Sequence, residues 1–239
     1  MTLSKRILSI GNHECTIYYN ATAYDNLNAK PKYLLIQPVD SHDLEETDKE
    51  ISYIEKNCDA DFIFVGFRIM KWNEELTPWP APPVFGKIPF GDKAPITLLY
   101  IIEELIPKIK EDFKLQDERL KIILGGYSLA GFFAIWAAYH CDRFSATVSA
   151  SPSAWYPEWL EYAERRQPVV QNAYLSLGDK EEKSKTKIMS TVATCVRKQL
   201  ELYEKANVNT VLEWNEGNHF QDNGERTAKG FVWAMTKGK

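Results

Sequence analysis

The sequence predicts an α/β protein, a three-layer α/β/α sandwich around a mostly parallel central sheet. Three observations carry this. Apolar runs of strand length recur at 33–39, 61–67, 121–124 and 172–177. Each stops at proline, glycine or a polar turn, as a buried strand does. Segments of helical period lie between the runs, so the strands are joined by crossovers, which makes them parallel with right-handed connections.

The 239 residues suit one large α/β unit, and we read 1–239 as a single domain. With 44% hydrophobic residues the chain can bury a sizeable core. Lysine plus arginine number 29 against 33 acids, a formal charge of -4, which argues against a nucleic-acid partner. Cys15, Cys58, Cys141 and Cys195 are too scattered for a metal site, so free thiols in a reducing compartment are expected. The N-terminus shows no export signal, and no segment approaches the roughly 20 apolar residues of a membrane span. The expectation is a cytoplasmic protein with no membrane partner and no cofactor. The oligomeric state is not legible.

Taken in order, residues 7–19 alternate around Gly11-Asn12-His13-Glu14 and read as a strand pair at the sheet edge. The run 33–39 ends at Pro38-Val39, and a helix is expected over 44–56. Asp43 with Glu46 has the form of a capping box, with Asp40 or Ser41 as the other candidate caps. Residues 71–93 hold Trp72, Trp79, Phe85 and Phe90 among five prolines, too many for a helix or inner strand and too aromatic for a disordered linker. We read them as an ordered loop over the end of the sheet, above the candidate site. A helix follows over 95–110, with Ile96, Leu99, Ile102, Ile106 and Ile109 at helical spacing. After the run at 121–124, Gly125-Gly126 breaks to Ser128 and a helix from Phe132. The remaining elements are a strand at 144–150, a loop at 151–157, a short helix to about 165 and the strand at 172–177. A long helix at 183–206, a strand at 209–214 and a final helix at 224–235 complete the chain.

Ser128 stands on a strand-to-helix turn with small residues two before and two after it, Gly126 and Ala130. Such a turn holds a serine strained and exposed at the end of a sheet, where it can act as a nucleophile. The competing reading is a plain glycine turn. Two further strand ends decide between them. Acids follow the run at 172–177, and His219 follows the last strand. The order serine, acid, histidine is that of α/β hydrolases. Serine is a poor nucleophile until an imidazole takes its proton, and a carboxylate on the other ring nitrogen fixes the tautomer. Glu181, three residues after Gly178, is the favoured acid, and Asp179 is the alternative. An oxyanion hole needs two backbone N–H groups. Leu129 would supply one. Val39 or Asp40 would supply the other, since Pro38 has none. Asp40, His42 and Asp43 lack a fourth ligand for a metal and read better as a helix entry.

With these residues placed, the chain resembles the putative-esterase family of α/β hydrolases, nearest to its esterase D and enterochelin-esterase-like members. The matching stretches are Glu74-Glu75-Leu76-Thr77-Pro78-Trp79, Gly125-Gly126-Tyr127-Ser128-Leu129-Ala130-Gly131, Ser149-Ala150-Ser151-Pro152-Ser153-Ala154-Trp155-Tyr156, Leu177-Gly178-Asp179-Lys180-Glu181 and Gly217-Asn218-His219. The resemblance implies an α/β-hydrolase fold, Ser128 as nucleophile and His219 as base, and a serine esterase acting on small-molecule esters; acyl transfer on the same triad, or a catalytically silent binding protein of this fold, is the alternative expectation. Ala130 stands where the family has glycine. Trp72, Trp79, Phe85, Trp155 and Tyr156 belong to the two loops expected to overhang Ser128, and are the candidate substrate-binding residues.

Overall fold

The computed structural model describes residues 3–21, 33–84, 86–115 and 120–238. Among these residues eight strands form one sheet in the order β1-β2-β4-β3-β5-β6-β7-β8. The strands are β1 Ser4–Ile10, β2 His13–Tyr19, β3 Tyr33–Val39, β4 Phe62–Arg68, β5 Lys121–Tyr127, β6 Ala146–Ala150, β7 Asn172–Gly178 and β8 Asn209–Asn215. Only β1 and β2 run antiparallel, to each other and against β4, and the pair forms one edge as expected. From β4 to β8 every pairing is parallel.

The inner strands read as continuous apolar runs because both faces are covered. Leu34, Ile36, Ile63, Val65, Leu124 and Leu175 enter one core cluster. Their neighbours Leu35, Phe62, Phe64, Ile123 and Tyr174 enter the other. Helices α1 Ser41–Asn57 and α8 Asn223–Thr236 cover the second face, with Ile51, Ile54, Ala228 and Phe231 in its core. The first face is covered by α3 Ala94–Tyr100, α4 Ile106–Phe113, α5 Ser128–Ala137, α6 Trp159–Glu164 and α7 Val192–Lys205. This is the three-layer α/β/α sandwich with a mostly parallel central sheet that the sequence predicts.

Local details depart from the expectations in three places. The cap of α1 is Asp40, whose carboxylate accepts from the N–H groups of His42 and Asp43, and Asp43 returns the bond to Asp40 N–H. The capping box is therefore Asp40–Asp43, one turn before Asp43–Glu46.

The helix expected over 95–110 runs from Ala94 to Phe113, with a π-helical turn Ile101–Leu105 between α3 and α4. Pro107 lies just beyond that turn and has no N–H for an ordinary helical bond. The buried stripe is Ala94, Leu98, Ile101, Leu105 and Ile109, while Ile96 and Leu99 are 62% and 58% exposed. The sequence offers two apolar stripes here. Bonds from Ala94 N–H to Thr77 and from Thr97 hydroxyl to Glu75 select one by fixing the helix against the loop before it.

The helix expected from Lys183 begins only at Val192, after two short 3-10 turns, Glu181–Lys183 and Met189–Thr191. Residues 183–187 alternate lysine with serine and threonine, so no apolar face exists there to hold a helix down.

The described residues between 71 and 93 are held by their own contacts. They begin with a helical turn, α2 Trp72–Glu75, and fold back through an Ala81–Phe90 bridge. The Trp79 indole N–H donates to Pro157 carbonyl, and the Tyr156 hydroxyl donates to Trp79 carbonyl.

Candidate active site

Ser128 follows the last residue of β5 and begins α5, half-buried, with φ at +55°. That left-handed conformation is uncommon for a residue with a side chain and is sustained only by its surroundings. The chain can turn this sharply because of Gly126. A Cβ there would lie 2.6 Å from the Ala130 Cβ and 2.7 Å from its carbonyl carbon. The methyl of Ala130, the departure from family glycine, thus fits because Gly126 has none.

The His219 loop after β8 bends over Ser128. The Ser128 hydroxyl donates to His219 Nε2 at 3.0 Å. His219 Nδ1 faces Glu181 Oε2 at 2.8 Å, and a carboxylate can only accept, so the proton sits on Nδ1 and Nε2 is free to take the serine proton. Glu181 lies on the 3-10 turn after β7, where a Cβ on Gly178 would approach Gly217 carbonyl to 2.5 Å. The Tyr127 hydroxyl donates to His219 carbonyl at 2.9 Å, so the residue before the serine also holds the histidine.

The two acids divide their work. Asp179 accepts from Gly217 N–H at 2.8 Å and fastens the loop that carries His219. Glu181 alone meets the imidazole. Its Oε1 accepts from Ser151 hydroxyl at 2.6 Å, from Gly178 N–H at 2.7 Å and from Arg226 at 3.2 Å. Burial pushes the Glu181 pKa up, but the hydrogen bond and charge of His219, with the bonds from Ser151 and Gly178, outweigh it and hold the carboxyl below its usual range.

Arg226 escaped the sequence reading. Its side chain is 1% exposed and pairs with a Glu181 side chain that is 3% exposed. The same guanidinium donates to Tyr127 and Ser151 hydroxyls and to Glu216 carbonyl. The available signal was an arginine among Gly224, Thr227, Ala228 and Gly230, small residues on a buried face, where a charge must find a partner.

Of the candidate oxyanion donors, Leu129 N–H lies in the first turn of α5, where no helical carbonyl stands four residues behind it. Val39 carbonyl accepts from Ile69 beside β4. The N–H and C=O of one strand residue point the same way, so Val39 N–H also faces β4, away from Ser128. Asp40 N–H points to the other side and shares the Asp43 carboxylate at 3.3 Å. Asp40 lines the cavity beside Ser128, and Leu129 directly follows the serine.

Two cavities meet at His219 and Phe220. One, of about 390 Å³, is lined by Pro152, Trp155, Met189, Val192 and Phe220, together with Glu181, His219, Lys180 and Lys183. The other, of about 170 Å³, is lined by Ser128, Tyr127, Trp72, Asp40, Asp43 and Asn223. Burial, aided by the Asp40 charge, raises the Asp43 carboxyl to about 7. Of the aromatic residues expected at a substrate, Trp72 and Trp155 line these cavities. Trp79 and Tyr156 do not. Trp79 packs on Tyr156 and Tyr162, and Tyr156 is 2% exposed and stacks on Phe132. Their role is to lock the 71–93 segment to the loop after β6. Phe85 lies outside the described residues. Phe220, absent from the expected set, is 88% exposed directly beside the histidine.

Chemically, a serine whose proton can pass to an imidazole backed by a buried carboxylate is equipped for attack on a carbonyl carbon. Among the described residues no helix is long and apolar enough to cross a membrane.

No curated protein sequence matches the chain. Among solved structures it is similar to an IroE-like serine hydrolase from Shewanella oneidensis, at 17% identity and TM-score 0.75, over 98% of this chain and 80% of that one. It is similar to the siderophore hydrolase EstA from Aspergillus nidulans, at 15% identity and TM-score 0.70, over 100% of this chain and 95% of that one. It is also similar to the enterobactin esterase FES from Shigella flexneri, at 14% identity and TM-score 0.63, over 98% of this chain but only 60% of that one. At these identities the likeness speaks for the fold. The sequence itself matches the Putative esterase family over residues 52–225, most of its length, and the chain belongs to that family.

Proposed function

We propose that the chain is a serine esterase that cleaves carboxylic esters of small molecules through an acyl-enzyme. The observation that carries this is the unbroken hydrogen-bond series Ser128–His219–Glu181, with Ser128 at φ +55° on the turn between β5 and α5. In this mechanism His219 Nε2 takes the Ser128 proton as the serine oxygen attacks the ester carbonyl carbon. Glu181 steadies the imidazolium, and the N–H groups of Leu129 and Asp40 receive the developing oxyanion. The tetrahedral intermediate collapses, the C–O bond to the alcohol breaks, and His219 gives its proton to the leaving oxygen. Water then repeats the sequence on the acyl-serine. We read the chain as one domain, with the 71–93 segment beside the site through Trp72.

The test is hydrolysis of p-nitrophenyl acetate together with labelling by a fluorophosphonate probe. The wild-type protein should do both, and Ser128→Ala neither. Equal rates for the two proteins, with no label on Ser128, would show that the serine is not a nucleophile.

A further inference from the structure

The two cavities share two lining residues, His219 and Phe220. The reacting carbon of an ester must come to Ser128, whose hydroxyl lies 3.0 Å from His219 Nε2. Any bulk that leaves this point by either cavity has Phe220 beside it. This holds whichever half of the ester enters which cavity. Each cavity adds one tryptophan to that contact, Trp155 in the larger and Trp72 in the smaller.

An exposed phenylalanine is ordinary by itself. Phe220 is set apart by how it is held. Its side chain is left in water, yet the turn that carries it is pinned residue by residue. Gly217 N–H donates to Asp179, and Asn218 N–H donates to Gln221 Oε1 at 2.8 Å. The His219 carbonyl accepts from Tyr127, and Phe220 N–H donates to Asn218 Oδ1 at 2.9 Å. Gly217 sits at φ +103°, where a Cβ would collide with the Gln221 side chain. Asp222 closes the turn at φ +54°, an uncommon conformation for a residue with a side chain. The Phe220 ring stands edge-on to the imidazole, with centroids 5.4 Å apart and planes at 88°. A large apolar group on so fixed a backbone loses little freedom when a ligand covers it, so most of the gain from its burial is kept as affinity.

We propose that Phe220 is a specificity-determining residue of this site: it covers an aromatic substituent of the bound ester, in the acid half and the alcohol half alike, with Trp155 or Trp72 completing the contact. The inference rests on the esterase reading above.

Three esters test it. Ethyl phenylacetate is ethyl acetate with a phenyl ring on the acid half, and 2-phenylethyl acetate is ethyl acetate with the ring on the alcohol half. All three release an unactivated primary alcohol, so their ratios report binding of the ring. The wild-type protein should favour each ring ester over ethyl acetate by about 10-fold in kcat/KM, the size of a good aromatic contact. Phe220→Ala should lower both ratios by about 5-fold or more, mainly through KM, and Phe220→Tyr, which keeps a ring, should restore them. A variant that merely displaced His219 would lose activity on ethyl acetate in step, and the ratios would stand. Unchanged ratios in Phe220→Ala, or a fall for only one of the two ring esters, overturns the proposal. If none of these esters, nor p-nitrophenyl acetate, is cleaved in a Ser128-dependent way, the esterase reading itself fails.

Discussion

Replacing Arg226 by methionine tests how the site holds its charge. The side chain keeps its approximate length and loses only the guanidinium. At 3.2 Å from Glu181 Oε1, that guanidinium attracts the carboxylate by about 5 kcal/mol at an effective dielectric of about 20. Breaking one partner out of a buried pair costs about 3–5 kcal/mol, because the remaining charge has no water to turn to. Glu181 keeps its bonds from Ser151 and Gly178, so the lower end of that range is expected as loss of stability. The kinetic effect has a definite sign. Without Arg226 the carboxylate is no longer offset, and the imidazolium form of the pair is favoured. The acid limb of kcat/KM then moves to higher pH. Arg226 meets the ring only through Glu181, so the displacement of the limb is expected to be smaller than the loss of stability would suggest. The assay is the pH dependence of p-nitrophenyl acetate hydrolysis, with near-UV circular dichroism to establish that the variant is folded. A folded Arg226→Met protein whose acid limb coincides with that of the wild type would refute the argument. Arg226 would then be a packing residue.

Further outcomes follow from the same geometry. Glu181→Gln should lower kcat by about 10³–10⁴-fold, the loss expected when the acid partner of a catalytic imidazole is neutralised. Asp179→Asn, which can still accept from Gly217 N–H, should stay within a few-fold of the wild type, and equal losses in both variants would contradict the division of labour between the two acids. Glu50 is 1% exposed, and burial, then the Asp43 charge, hold its carboxyl well above its usual range. The folded protein thus keeps a proton that the unfolded chain releases above about pH 4.5, so stability falls as pH rises beyond that value. Glu50→Gln removes the effect and should be more stable than the wild type at pH 8 by about 1–3 kcal/mol, with a smaller gain near pH 5. Denaturant midpoints at the two pH values measure it.

The layered fold was legible in the sequence because a strand covered on both faces must be apolar throughout. The runs beginning at Tyr33, Phe62, Lys121 and Asn172 show this directly. Ser128, His219 and an acid after Gly178 were legible for a related reason. In a parallel sheet every strand delivers its following residue to the same end, so chain order alone brings three distant positions to one place. The phase of the helix from Ala94 was not legible. Ile96 and Leu99 are as apolar as Leu98 and Ile101, and only contact with Glu75 and Thr77 selects the buried side.

The choice between Asp179 and Glu181 needed three dimensions as well, since both follow one glycine and differ in whether they reach a ring or a backbone N–H. So did Arg226, whose charge is explained only by a carboxylate 45 residues earlier. The roles of the aromatic residues were decided last. Composition places tryptophan and tyrosine near Ser128 but cannot tell a ring that lines a cavity from one that fills a seam. Trp79 and Tyr156 fill the seam, and Phe220 stands in the open beside the histidine. Hydrophobic pattern and chain order are local properties and determine layers, direction and strand ends. Partnership and exposure depend on which surfaces meet, and only the folded chain decides that.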